Sequence, residues 1–298
     1  MFTVVIGLTS ALIYGAADFL GGLGSRRISP VRVTAVSGVS GLIVLLLALP
    51  LVSSTWSTQA LLLGAVSGVS GAAAVGLLYA CLAIGPMSIL SPLTAVVSAI
   101  VPLTVGLVRG ERLGPIGYFA IALALVAVVL VGFVKEKNAV RPSVRGVLMA
   151  VGSGAAIGVF LIIIDLTPED SGLVPLIANR VVSAVIMFSL VGILILVSRR
   201  RSNPQSVGDV SSVRPVAGQL WRPGLVFAIA CGAVDAVANA GLLWGLRLGE
   251  LSIISVLTAL YPAGTIILAA IVLKERIAVV QYVGLVLAIT AAGMLALT

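Results

Sequence analysis

The sequence predicts an all-α polytopic membrane protein, with ten transmembrane helices arranged as two inverted five-helix repeats. Three observations lead to this fold class. The 298 residues are 60% hydrophobic and only 9% charged, whereas about a quarter of the residues in a soluble domain are charged. Ten apolar blocks are each long enough to cross a bilayer, which takes about 20 residues. Finally, one stretch of the first half of the chain returns in the second half.

Ten blocks have nine connections, and eight of these are shorter than the remaining one. The longest is a polar, Pro- and Ser-containing segment at about 199–223, which is predicted to be a flexible loop. The first block has no basic residue ahead of its apolar run, so we expect a retained helix rather than a signal peptide. The ten blocks cover residues 3–24, 30–52, 59–84, 87–108, 115–134, 145–165, 172–198, 224–247, 251–273 and 277–297.

The internal repeat sets the expected topology. Residues 85–118 align without a gap with residues 249–282, and twelve of these 34 positions are identical, including a Glu-Arg pair. After five crossings the chain has changed sides, so the second copy must lie inverted in the membrane. We therefore expect one membrane domain made of repeats 1–138 and 139–298. Inverted halves that exchange conformations are typical of secondary transporters, although duplication alone would also leave such a repeat.

The composition excludes several functions. Histidine is absent, which removes histidine-based catalysis, metal binding and pH sensing. Cys81 and Cys231 lie inside apolar blocks without metal-ligand spacing, and they are predicted to be small buried side chains. The net charge of +8 comes from short clusters between blocks rather than from a basic face. We expect no enzyme activity, no cofactor, no metal and no nucleic-acid partner.

The chain resembles the drug/metabolite transporter superfamily, and within it the EamA-type ten-helix transporters. The resemblance rests on the two repeats, on Ser/Thr stripes in blocks four and nine, on "GERL" and "KERI" ahead of blocks five and ten, and on "ADFLGGLGSRR" in block one. It covers essentially the whole chain. It implies a central cavity lined by helices 1, 3, 4, 6, 8 and 9, and export of amino acids, amines or other metabolites.

Two regions carry candidate substrate-binding residues. Asp18 lies inside block one, with Tyr14 on the same face, and an ionisable side chain there is costly enough to suggest function. A structural pairing of Asp18 with a nearby arginine is the alternative. Asp235 and Asn239 lie four residues apart on one face of block eight, where the other repeat offers no polar equivalents. A hydrogen bond between helices would also explain this second pair.

Further candidates have less specific roles. Tyr79 is a candidate aromatic residue of the cavity in block three. Arg180, in block seven, needs a carboxylate partner, for which Asp235, Asp18 and Asp165 are candidates, and it is either half of an ion pair or a substrate clamp.

Other motifs favour structural roles. Glu111 and Glu275 are expected to stabilise the N-termini of the helices that follow them. Pro92, Pro102 and Pro262 are predicted to break the helices of blocks four and nine. The small-residue stripes are expected to serve helix packing; they consist of Ser88, Ser91, Thr94, Ser252, Ser255 and Thr258.

The sequence gives conflicting indications of orientation. Fourteen basic residues lie on the side reached after odd-numbered blocks, against three on the other side. The positive-inside rule places both termini outside, whereas the family resemblance implies termini inside.

The sequence predicts that the protein is a secondary-active exporter of small polar metabolites such as amino acids or amines, working by alternating access. We expect a multi-pass protein of the cell membrane, the bacterial cytoplasmic membrane in particular, that is a monomer or a homodimer in the lipid bilayer. A proton is the candidate coupling ion, through Asp18 or Asp235, because an apolar environment favours the neutral form of a carboxyl group. The alternative is a membrane receptor or regulatory subunit that binds a small ligand without transporting it.

Overall fold

The computed structural model describes residues 1–84, 87–132, 143–201, 217–274 and 276–297, with some side chains inside these ranges left out. Every regular element in the described part of the chain is helical. The helices are α1 Phe2–Ser25, α2 Pro30–Ala48, α3 Thr58–Ile84, α4 Met87–Val108, α5 Pro115–Gly132, α6 Val144–Asp165, α7 Val174–Arg201, α8 Ala217–Leu248, α9 Leu251–Thr258, α10 Tyr261–Val272 and α11 Val279–Ala296.

These helices confirm the predicted fold class. Among the described residues, nine segments are long and apolar enough to cross a membrane, and α9 and α10 together form one of them. The tenth crossing is α7, whose apolar part is the shorter stretch Val174–Leu190. The chain is therefore a polytopic membrane protein of ten transmembrane helices in two inverted five-helix repeats.

The proline predictions have a mixed outcome. The ninth crossing is interrupted between Thr258 and Tyr261, immediately before Pro262, as predicted. The prediction for Pro92 and Pro102 was wrong, because α4 runs through both residues as one assigned helix. Neighbouring helices can satisfy the backbone groups that a proline frees inside a membrane helix.

The predicted flexible loop at 199–223 was wrong at both ends. Helix α7 continues to Arg201 and α8 begins at Ala217, so both helices include residues assigned to the loop. Residues 202–216 lie outside the described part of the chain. Polar and basic residues end an apolar block, but they do not end a helix that projects beyond the hydrocarbon core.

The packing of the helices follows the repeat. Extensive contacts join α1 to α8 and α3 to α6, which are equivalent pairs when the first five crossings are matched to the last five. The same holds for α2 with α8 and α3 with α7, and for α4 with α6 and α10 with α1. Helices α5 and α11 pack against each other. The two halves therefore interlock rather than lie side by side.

Glycines allow the closest approaches in this arrangement. A Cβ atom at Gly15 of α1 would lie 2.5 Å from the backbone oxygen of Tyr261, where α10 begins. At Gly158 of α6 it would lie 2.7 Å from the Cβ of Val101 in α4. Both glycines therefore mark equivalent close contacts, consistent with the interfaces of small residues that membrane helices use.

The two faces of the bundle differ in their polar residues. We call the face that carries both termini the termini side; the loops after α2, α4, α6 and α8 lie there. We call the opposite face the basic side. The basic residues there whose side chains the structure describes include Arg26, Arg27, Arg32, Arg145, Lys274 and Arg276.

Candidate functional site

An ion pair between α7 and α8 lies inside the bundle. The Nη2 atom of Arg180 contacts Oδ2 of Asp235, and these side chains are 19% and 27% exposed. Asn239, which is 7% exposed, donates from Nδ2 to the Asp235 carboxylate at 3.1 Å and to its backbone oxygen at 2.8 Å. Three aspartates were candidate partners of Arg180, and Asp235 is the one that it contacts. Asp165 instead pairs with Arg109, at 2.7 Å.

Small residues and polar contacts set the position of Arg180. Its Nε atom lies 3.7 Å from where a Cβ would stand at Gly41, so α2 leaves room for the guanidinium. The neighbouring Asn179 is 7% exposed and donates from Nδ2 to Oγ of Ser67 in α3, at 2.9 Å. This second bond joins α7 to α3 one residue before Arg180.

Asp18 and Tyr14 join the same cluster from α1. The charge of Asp18 interacts with that of Asp235, and the Tyr14 hydroxyl lies within electrostatic range of Asp235, Arg180 and Asp18. Tyr14 is half-buried, whereas Asp18 is exposed despite its place in the bundle. The structure therefore brings together residues that the sequence separates by more than 200 positions.

Two further residues belong to this cluster. Tyr261, the first residue of α10, lies within electrostatic range of Asp18. Cys231 lies one turn before Asp235, beside Ser37 and within range of both aspartates. Cys231 was predicted only as a small buried side chain, but its i, i+4 spacing from Asp235 was a usable signal. Tyr79 lies in α3, with its side chain outside the described part of the structure.

A cavity explains the exposure of Asp18. It has a volume of about 350 Å³ and lies between the C-terminal halves of α1 and α10 and the start of α11. Its polar lining includes Asp18, Arg26, Thr265 and Arg276. Apolar side chains form the rest of the wall, among them Phe19, Leu23, Ile266, Leu273 and Ile277. Since α1 and α10 both end on the basic side, Asp18 is reached from that side.

The cluster and the cavity beside Asp18 differ in charge. With Asp18 ionised, the two aspartates and Arg180 leave one net negative charge in the cluster. Arg26 and Arg276 place positive charge at the end of the cavity nearer the basic side. The cavity has a mostly apolar wall with a few polar groups. Sites for small molecules generally have this composition, in which the polar groups set the orientation of the ligand. No cluster of residues suited to a metal ion occurs in the described ranges.

The small-residue stripes act in packing. Thr94 Oγ1 donates to the backbone oxygens of Leu90, at 3.0 Å, and Ala150 in α6, at 3.2 Å. Ser252 Oγ donates to the backbone oxygen of Leu103 in α4, at 3.3 Å. The side chain of Ser88 lies outside the described part of the structure.

The prediction for Glu111 named the wrong helix. Its carboxylate does not bind the N-terminus of α5, which follows it, but the backbone N–H groups of Leu251 and Ser252 at the start of α9. Sequence spacing could not show this, because α9 belongs to the other half of the chain. Glu275 lies outside the described residues.

Comparisons with known proteins agree with this architecture. The family model of the EamA-like transporter family matches residues 1–133 and 144–297. No curated protein matches the chain. Among solved structures, one described only as "Crystal structure of protein" aligns with a TM-score of 0.72 and 16% identity, over 100% of this chain and 99% of the other. At that identity the match shows a shared fold.

Proposed function

We propose that this chain, which belongs to the EamA-like transporter family and is a multi-pass membrane transporter of the drug/metabolite type, exports a small cationic or zwitterionic metabolite such as an amine or amino acid. The observation that carries the proposal is the cavity that brings Asp18 into contact with the basic side. Tyr14, Asp235 and Asn239 belong to the cluster around Asp18 rather than to the wall of this cavity. Together with Tyr79 they complete the proposed binding site, in which Arg180 holds Asp235 in place.

Alternating access is the proposed mechanism. The equivalent pairs of packed helices support it, because two interlocked, inverted halves can exchange their conformations and so form a second arrangement. In that second arrangement the cavity would face the termini side. The repeat boundary proposed at 138/139 lies outside the described residues.

Asp18 is the proposed point of coupling. A carboxylate in contact with the cavity can hold either a proton or the ammonium group of a substrate. One proton entering would then release one cation, so a pH gradient would drive export without a second ion site. The charge of Asp235 is offset by Arg180, so Asp235 is less free than Asp18 to bind a second cation.

The distribution of basic residues supports the direction of transport. If the basic side faces the cytoplasm, as the positive-inside rule indicates, the cavity seen here loads substrate from the cytoplasm of a bacterial cell. That orientation places both termini outside.

Efflux from proteoliposomes tests this function. The purified protein is reconstituted in liposomes preloaded with amino acids, amines and nucleobases, and efflux is followed by mass spectrometry with and without a pH gradient. We expect selective loss of cationic or zwitterionic solutes, accelerated when protons are supplied from outside. Liposomes without protein are the control. Binding of a solute without any efflux would contradict transport and support a receptor.

A further inference from the structure

The termini side is closed by contacts between the two halves. Glu111 lies in the connection between α4 and α5, and its Oε1 and Oε2 atoms accept hydrogen bonds from the backbone nitrogens of Leu251, at 2.9 Å, and Ser252, at 3.0 Å. The N-cap residue of α9, Glu250, makes no side-chain cap bond itself. The cap of α9 is therefore supplied by the other half of the protein. We call these two bonds the α9 latch.

The latch combines two favourable effects. Hydrogen bonds from backbone N–H groups to an ionised carboxylate are stronger than neutral ones. A negative charge also interacts well with the positive end of a helix dipole. Room for the carboxylate depends on Gly106, because a Cβ there would lie 2.7 Å from Cδ of Glu111.

Other contacts between the halves lie on the same face. Arg109 at the end of α4 pairs with Asp165 at the end of α6. The loop after α2 meets the loop after α6, where Thr55 Oγ1 donates to the Asp170 carboxylate at 2.7 Å. These charged side chains are more open to solvent, since Arg109 is 36% exposed, so their contribution is screened.

A second anchor holds the loop after α6. Arg247 at the end of α8 donates to the backbone oxygens of Pro168, at 3.1 Å, and Gly172, at 3.4 Å, and also contacts that of Glu169. Arg247 and that loop belong to the same half, so this anchor shapes one half. The α9 latch, in contrast, joins a helix start to a carboxylate across the boundary.

We propose that Glu111 is a positioning residue that keeps the termini side shut while the cavity at Asp18 is open to the basic side. Release of α9 from Glu111 is then the step that lets the termini side open. The inference rests on the proposed alternating access. Glu250 lies beside the latch and works against it. Its Oε2 atom is buried without a partner among the described residues, and burial together with the charge of Glu111 raises its pKa.

Cysteine labelling on both faces tests the latch. The two native cysteines are removed by Cys81→Ala and Cys231→Ser. A single cysteine for labelling is then introduced by Ser255→Cys in one variant and by Gly22→Cys in another. Ser255 lies one helical turn after Ser252 in α9, and it is 1% exposed. Gly22 lines the cavity, and an added Cβ there meets no atom within 4 Å. Labelling with a charged maleimide is measured in lipid nanodiscs, where both faces meet the buffer.

The informative quantity is the ratio of the labelling rate at Ser255→Cys to that at Gly22→Cys. We expect Glu111→Gln to raise this ratio about five-fold or more, which is a typical size for coupling between two states. Gly106→Ala, which crowds the same carboxylate, should shift the ratio in the same direction. Glu169→Gln removes an acidic charge from the same face and should leave the ratio unchanged.

An unchanged ratio in both variants would overturn the latch. Two rates that rise together would overturn it as well, because general loosening of the fold exposes both reporters. The labelling needs no substrate. A shifted ratio in a protein that moves no solute would therefore contradict the proposed function and keep the latch, whereas normal efflux with an unchanged ratio would do the reverse.

Discussion

Two aspartates in the same cluster have different surroundings. Asp235 is in contact with Arg180 and accepts a hydrogen bond from Asn239, whereas Asp18 lines an open cavity. A paired carboxylate is held in one geometry. A carboxylate in contact with a cavity can exchange its partner. The comparison assigns substrate and proton exchange to Asp18 and the organisation of the site to Asp235.

The largest effect is expected from Asp18→Asn. The substitution removes the charge that attracts a cation, and an interaction with a charged group is worth about 1.5–3 kcal/mol, or about 10-fold to 140-fold in binding. We expect efflux driven by a pH gradient to fall by about 10-fold or more. Exchange of solute across the membrane should still be measurable. Flux is measured per folded molecule, with Glu169→Gln as the control. Unchanged gradient-driven efflux would exclude Asp18 as the coupling group.

Asp235→Asn should act mainly on stability. It leaves Arg180 without its partner carboxylate, which costs about 1.5–3 kcal/mol for the lost charged contact. The double variant Arg180→Gln with Asp235→Asn should recover part of this loss, because neither charge is then left alone. Thermal unfolding in detergent gives both values. A double variant less stable than the sum of the single variants would contradict the ion-pair account.

The packing of α1 on α10 can be tested separately from charge. A methyl group at Gly15 meets the backbone of Tyr261, and overpacking of this kind costs about 1–3 kcal/mol. We expect Gly15→Ala to lower the unfolding temperature, whereas Gly22→Ala, on the same helix, should not, because nothing lies within 4 Å of its added Cβ. Equal effects would show that this close approach is absent in the membrane.

The smallest effect concerns the termini side. Because burial raises the pKa of Glu250 in the folded protein, its charged form destabilises the fold above that pKa, and the penalty disappears as Glu250 binds a proton at lower pH. Glu250→Gln should therefore raise the unfolding temperature slightly, by about 1–2 °C, at neutral pH. The gain should vanish in acid. A gain that grows towards low pH would have the wrong sign.

Most of the fold followed from block length and the repeat, since a bilayer imposes both. The i, i+4 spacing also placed Asp235 and Asn239 on one face. The partner of Arg180 depends on how α7 faces α8, and the target of Glu111 depends on how one half meets the other. Neither follows from spacing along the chain. The continuous helix through Pro92 likewise depends on neighbouring helices rather than on the proline itself.

One measurement tests the central distinction most directly: efflux per folded molecule for Asp18→Asn and Asp235→Asn, side by side in proteoliposomes with an imposed pH gradient. The account predicts that Asp18→Asn loses gradient-driven efflux by about 10-fold or more while its stability stays near that of the unmodified protein. Asp235→Asn should lose stability and retain more flux per folded molecule. The reverse order, with Asp235→Asn inactive and Asp18→Asn active, would contradict it.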